Sequence, residues 1–310
     1  MSRSSLRPSR WPHVGDVVLW LATGLATLLV LVILAIILID VVKNGAPRLT
    51  LGFLTKAPSD GMTAGGIFPA IFGTVALVIL MTIAALPAGV ATAIYLHEYA
   101  RPSAIGTRIV RISVNNLAGV PSIVFGLFGL GFFVQFVGGG IDKLVYGGDK
   151  VFGQPALIWA ALTMAILTLP VVIVATEEAL SNVSPDVRLA SAALGATKFQ
   201  TVTRVVLPQA VPGILTGAIL AISRGAGEVA PILFTGAAYF LPTLPHTLHD
   251  QFMQLGYHVY VLATQSPDVD ATRPLLYATV LVLLGLTFAL NASAIVVRSR
   301  MRRNLSRAHG

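Results

Sequence analysis

Cysteine is absent from all 310 residues, which removes disulfides, thiolate metal centres and cysteine nucleophiles from consideration. Charge is scarce as well. Only 11% of residues are Asp, Glu, Lys or Arg, against roughly 25% in an ordinary soluble domain. A chain so poor in charge cannot keep a globular surface in water. The sequence also lacks a G-x-x-x-x-G-K-[ST] loop, so it has no phosphate cradle of its own. No Ser/His/Asp or paired-carboxylate constellation points to hydrolysis. His246 and His249 form an H-x-x-H with Asp250 beside them and His258 further on. Without a third ligand at a sensible spacing, this is a poor zinc signature.

What is abundant is apolar sequence. Hydrophobic residues make up 55% of the chain, and the mean hydropathy is +0.82. Six runs approach or exceed the roughly 20 residues that cross a bilayer as a helix: 17–42, 66–96, 117–137, 155–176, 209–237 and 274–297. The first exceeds the h-region of a signal peptide and reads as a retained span. Pro87, Pro121, Pro170, Pro212 and Pro231 lie in or beside these runs, where neighbouring helices can re-satisfy the freed carbonyls. The expectation is an all-α, polytopic membrane protein with six transmembrane helices.

The net charge of +8 would suggest nucleic acid in a soluble protein. Here the basic residues gather at span ends, so they read as topology signals and not as a nucleic-acid surface. One set comprises Arg3, Arg7 and Arg10, then Arg101, Arg108 and Arg111, then Arg188, Lys198 and Arg204, then Arg298, Arg300, Arg302, Arg303 and Arg307. It alternates with poorer loops holding Lys43, Arg48 and Lys56, then Lys143 and Lys150, then Arg273. The positive-inside rule puts the rich set, and both termini, in the cytoplasm.

Arg224 and Glu228 are the charges that fall well inside an apolar run, where an ionised group costs several kcal/mol unless it faces protein, water or a partner. At 100° per residue they share a side with Gly213, Gly217, Ala221 and Gly225, a ridge of small residues suited to close helix packing. The i, i+4 spacing lets the pair meet. Two readings stay open: the guanidinium offers a waystation for an oxyanion, moderated by Glu228, or the pair pins two helices. The stretch GVPSIVFGLFGLG, with Pro121, Ser122, Gly126, Gly129 and Gly131, either lines a cavity with broken helix or lets helices approach closely.

Residues 184–208 form a polar island between two apolar runs. Ser184 suits an N-cap, Pro185 the first helical position and Asp186 the positive end of the helix dipole. Gly195 suits a left-handed terminator, giving a helix of about ten residues. Val187, Ala190, Ser191 and Leu194 then form a narrow stripe of mostly small residues at helical spacing. Thr197 caps a second helix that Pro208 is expected to end or kink. Such a capped pair is either a docking surface or a simple linker.

The order Ala190, Ser191, Gly195, Val205, Leu207, Pro208 resembles the "EAA" loop of ABC importer permeases, in which EAA, three residues, Gly, nine residues, Ile, any residue and Leu-Pro recur. Leu189 stands where Glu is usual, Ser191 for the second Ala and Val205 for Ile. Within that family the segments 95–100, 117–131 and 176–236 are similar to the PstA-type permeases of phosphate importers, and the likeness covers roughly residues 66–297. The resemblance implies a type I (MetI-like) permease fold in the bacterial inner membrane. It places the permease core over 66–297, while hydropathy and charge set apart a basic N-terminus over 1–16, a first helix and external loop over 17–65 and a basic tail over 298–310.

In such a machine the loop at 177–208 carries the coupling helix, with Pro185, Asp186, Ala190, Ser191, Gly195, Leu207 and Pro208 receiving the motion of an ATPase. Arg224 and Glu228 would line the substrate path. The implied partners are a homologous second permease, two ATPase subunits that handle ATP and magnesium, and an external phosphate-binding protein. The chain itself would bind no cofactor. Sulfate or molybdate in place of phosphate, an ion-coupled transporter or channel without an ATPase, or a membrane scaffold or receptor with no transport role are the alternative readings.

Overall fold

A computed structural model describes residues 14–266 and 268–308. Among them six helices are long and apolar enough to cross a bilayer: Gly15–Arg48, Phe68–Tyr99, Ser122–Val145, Leu157–Ser181, Lys198–Gly227 and Val269–Met301. They are called the first to sixth spans below. The only sheet among the described residues is a two-stranded ribbon in the loop after the first span, pairing Pro58 with Gly65 and Ser59 with Ala64.

In lipid the hydrophobic effect gives helices little reason to associate, because acyl chains are as apolar as Leu; close van der Waals packing must hold them instead. Small residues make that possible here. The fourth span is the centre, packed on the second and the fifth. A side chain at Gly213 would run into Ala179, one at Gly217 into Ala175 and one at Gly89 into Val172. Gly225 lies against Met81 of the second span. Leu77, Met81, Met164 and Ile173 are among the large side chains this packing encloses. The sixth span lies on the fifth, where Ser223 meets Asn291 at 2.5 Å and Arg298 donates to Thr216 at 2.8 Å. The first span packs chiefly on the sixth and is otherwise exposed along its length.

Several boundaries differ from those read from hydropathy. The run at 117–137 straddles two helices: Ile105–Leu117 is separate and amphipathic, and the third span begins only at Ser122, after Pro121. That span turns π-helical over Gly129–Gly138. Of its glycines, Gly126 and Gly129 allow contact with Pro231 and Thr163, whereas a side chain at Gly131 would meet open space. Pro208 does not end the helix of the island. A π-helical turn over Val202–Val206 widens the ladder just where the proline withholds its N–H, and the rod continues from Lys198 to Gly227.

The run at 209–237 is not one helix. It stops at Gly227, Glu228 is extended, and a short helix, Ala230–Leu233, follows. Residues 228–265 fold back as a cap whose inner part belongs to the core: Phe252, Met253, Gln254 and Leu255 are all buried. This cap also receives the start of the fourth span. The Ala156, Leu157 and Ile158 amides, which no helix turn can use, donate to Thr235, Asp250 and Leu248 carbonyls at 2.8–2.9 Å.

Gly73 of the second span allows the cap to sit, since a Cβ there would collide with the Met253 carbonyl. Gly73→Val is expected to displace residues 252–255 and lower thermal stability by about 1–3 kcal/mol. Gly131→Ala, at a site with open space, is expected to leave the unfolding temperature in detergent unchanged.

Candidate functional site

The island at 184–208 is a helical hairpin projecting from the ends of the fourth and fifth spans. Its first arm is Pro185–Ala193, nine residues long, with the Ser184 hydroxyl accepting from the Asp186 amide at 3.2 Å. Gly195 adopts φ +81°, the left-handed conformation in which a Cβ is strained. The Gly195 and Ala196 amides close the helix end on the Ala192 and Ser191 carbonyls. Thr197 and Gln200 then form a reciprocal capping box that starts the second arm. The arms are cross-linked by Ser191 and Thr201, whose hydroxyls lie 2.9 Å apart.

The stripe read from helical spacing is not one surface. Val187 and Ser191 face the hairpin interior, while Ala190 and Leu194 face outward. The exposed apolar residues are Leu189 (68%), Leu194 (90%) and Phe199 (69%), with Ala190, Ala192 and Ala193 between them. Pro185 and Asp186 are exposed at its leading end; Leu207 and Pro208 are half-buried at its base. Three large apolar side chains left open on a polar hairpin mark a surface made for contact.

What positions the hairpin escaped sequence analysis. Arg188 donates to the Leu180 and Val183 carbonyls at the end of the fourth span and to Glu98 at 3.0 Å. Glu98 is nearly buried in the π-helical end of the second span, Tyr95–Tyr99, and His97 Nδ1 lies 3.1 Å from the same carboxylate oxygen. Lys198 sits over the ring of Tyr99 at 5.1 Å. Arg111 adds a second strut, to Glu177 at 3.0 Å and to the Leu96 carbonyl at 3.0 Å. These charges come from segments up to 90 residues apart, so no local pattern could pair them. The one signal was a charged pentapeptide, YLHEY, ending an otherwise apolar span.

The second region is the break that ends the fifth span. Glu228 is the first residue beyond the helix, and Arg224 Nε meets its carboxylate at 3.6 Å. The two therefore pair, across a helix terminus and not along a continuous turn. Gly217, Ala221 and Gly225 are buried, and Gly213 is half-buried against the fourth span. Arg224 does not share their burial. Its side chain is 42% exposed and that of Glu228 22%, on a face of the fifth span that also shows Leu220 and Gly227. Among the described residues no hydrogen bond engages the two terminal nitrogens of Arg224, so its fork is free. Behind the break, Gln254 is fully buried. Its amide nitrogen donates to the Ala226 carbonyl at 3.3 Å, and its oxygen accepts from the Tyr257 amide at 2.6 Å.

His246, His249 and Asp250 line one pocket in the cap, and His258 is not among its lining residues. Backbone donors from Thr247 and His246 hold the Asp250 carboxyl below its usual range. His258 is buried in the helix Leu255–Thr264, and burial pulls its pKa from 6.5 to about 4, so the ring is neutral. Among the described residues no group of three or more His, Asp or Glu is placed to share a cation.

A membrane bundle of six apolar spans with a helical hairpin projecting from one end is the architecture of a permease-type subunit. Residues 85–303 match the family of binding-protein-dependent transport system inner membrane components, and the chain belongs to that family. It is 33% identical over 268 residues to the probable ABC transporter permease YqgI of Bacillus subtilis, covering 81% of this chain and 86% of that one. It is 34% identical over 242 residues to the phosphate transport system permease PstA 1 of Mycobacterium tuberculosis, covering 78% and 73%. A PstA of Xylella fastidiosa is 30% identical over 269 residues, covering 84% and 85%. The fold is shared with a bacterial alginate ABC transporter, at a TM-score of 0.65 and 17% identity over 90% of this chain and 93% of that one. It is shared with the MetNI methionine ABC transporter at a TM-score of 0.57 and 19% identity, over 76% and 95%. The chain is therefore a multi-pass membrane protein of the MetI-like permease fold.

Glu98→Gln and Arg188→Gln should each loosen the hairpin by stranding the other charge. Proteolysis between Leu194 and Phe199 is expected to quicken about tenfold, the equivalent of one charge-assisted hydrogen bond. The double variant should cost less than the two single changes together.

Proposed function

We propose that this chain is the membrane-spanning subunit of an ATP-driven importer that carries inorganic phosphate into the cytoplasm. The observation that carries the reading is the Arg224 guanidinium: planar, unencumbered at its two terminal nitrogens, and held at a helix break on an open face of the fifth span. Such a fork matches two oxygens of a tetrahedral oxyanion bidentately. Glu228 at 3.6 Å weakens the hold, so the anion is bound well enough to enter and loosely enough to leave. Several relatives of the chain at 30% identity or above carry phosphate transport in their names.

The motor is a separate ATPase, which handles ATP and magnesium; this chain binds no cofactor. It docks on the apolar tip formed by Leu189, Leu194 and Phe199, with Pro185, Asp186, Ala190, Ser191 and Gly195 shaping the arm that enters it. Leu189, standing where Glu is usual in this loop, replaces a charge contact with an apolar one. Because the second arm and the fifth span are one rod from Lys198 to Gly227, a push on the hairpin moves the Arg224 end directly. Leu207 and Pro208 lie in that rod, and the ridge Gly213, Gly217, Ala221, Gly225 lets it move along the fourth span. A homologous second permease covers the open face of the fifth span, two ATPase subunits lie beneath, and an external binding protein delivers phosphate. Both termini and the hairpin face the cytoplasm, as their basic residues require.

Arg224→Gln is expected to abolish ATP-dependent uptake of labelled phosphate by the reconstituted complex while assembly, followed by co-purification, stays intact. Undiminished uptake would return the pair to a purely structural role. Uptake of sulfate or molybdate in preference to phosphate would reassign the substrate, and uptake without an ATPase would remove the motor. Gly195→Val, which forces a β-branched residue to φ +81°, should release the ATPase from the detergent-solubilised complex.

A further inference from the structure

At the end of the bundle remote from the hairpin, the first and sixth spans enclose a polar pocket of about 380 Å³, lined by Asp40, Lys43, Asn44, Asp270, Arg273, Pro274 and Tyr277. Its depth in the membrane follows from the sequence. The first span is uncharged from 17 to 39 and the sixth from 274 to 297. Each stretch is about 35 Å long at 1.5 Å per residue, a little more than the roughly 30 Å hydrocarbon core. Asp40 and Arg273 therefore stand side by side where acyl chains give way to headgroups. Gly45 brings the helices together there, since a Cβ would press on the Tyr277 backbone.

The wall is built and the remaining charges are unspent. Asp40 is fixed by Asn44 at 2.8 Å and by the Tyr277 hydroxyl at 2.9 Å. Among the described residues, no ion pair or side-chain hydrogen bond engages Lys43, Asp270 or Arg273. A pocket holding two cations and two carboxylates has no net preference for an anion. It suits one molecule that carries both signs. The lateral side is the first span, whose Leu38, Ile39 and Val42 are exposed and offer a surface for acyl chains.

We infer that this pocket holds the headgroup of a zwitterionic phospholipid with a primary ammonium, a phosphatidylethanolamine. Its phosphate lies between Lys43 and Arg273, its ammonium donates to Asp270 and Asp40, and its chains lie along the first span. The lipid would act as a wedge between the first span and the sixth, which otherwise meet along one seam. The inference rests on the membrane spans alone and is independent of the substrate of the importer.

The test is lipid co-purification of the full-length chain from membranes containing phosphatidylethanolamine and phosphatidylglycerol, quantified by mass spectrometry. Phosphatidylethanolamine is expected to be retained selectively. The double variant Asp270→Asn/Arg273→Gln should lower retention about tenfold or more, the loss of at least one charge-assisted hydrogen bond. Arg273→Lys should keep most of it. Thermal unfolding supplies a readout that does not depend on yield: added phosphatidylethanolamine should raise the unfolding temperature of the native chain more than phosphatidylcholine does, and the double variant should lose that difference. Equal retention of phosphatidylglycerol, unchanged retention in the double variant, or displacement of the lipid by inorganic phosphate would overturn the assignment.

Discussion

Close approach of the fifth span to the fourth, at Gly213 against Ala179 and Gly217 against Ala175, is the contact on which the remaining geometry rests. In a bilayer no solvent drives these helices together, so their association depends on how nearly their backbones can touch. Every other placement follows from that seam. It sets the hairpin under the fourth span at one end and the break at Gly227 beside the cap at the other. It also leaves one face of the fifth span, bearing Leu220 and Arg224, without a neighbour in the chain.

The polar contacts at the two ends of this seam are of different kinds. At the hairpin end, full charges are paired across distant segments, Glu98 with Arg188 and Glu177 with Arg111, at the level where water is available to the exposed partner. At the cap end, neutral groups do the work: Thr74 receives the Leu255 amide at 2.9 Å, and Gln254 joins the stop of one helix to the start of another. A charged pair at that depth would carry a desolvation penalty that a hydroxyl or an amide avoids. Arg224 and Glu228, which are charged, lie on the open face.

Much of this was legible beforehand where a local rule applied. Six spans followed from hydropathy, Ser184 and Thr197 from capping chemistry, and the left-handed Gly195 from its place after a helical stretch. The small-residue spacing anticipated the ridge from Gly213 to Gly225 but not the exposure of Arg224, because an angular projection assigns a side and cannot tell which side a neighbour will cover. The break after Gly227 was hidden for a related reason. Residues 229–237 are as apolar as a span, and only tertiary packing, with Gly126 admitting the turn at Pro231 and Gln254 capping Ala226, makes them fold back. The Glu98–Arg188 strut was equally out of reach, since it joins segments 90 residues apart in sequence.

Gln254 serves two helices with a single side chain. Drawing the tip of the fifth span away from the cap would strip a partner from the Ala226 carbonyl and, if the side chain followed, from the Tyr257 amide as well, at about 1–3 kcal/mol for each group left dry. The amide thus behaves as a latch between the fifth span and the cap: parting them is uphill within this polypeptide, and the force that lifts the latch has to arrive from outside it.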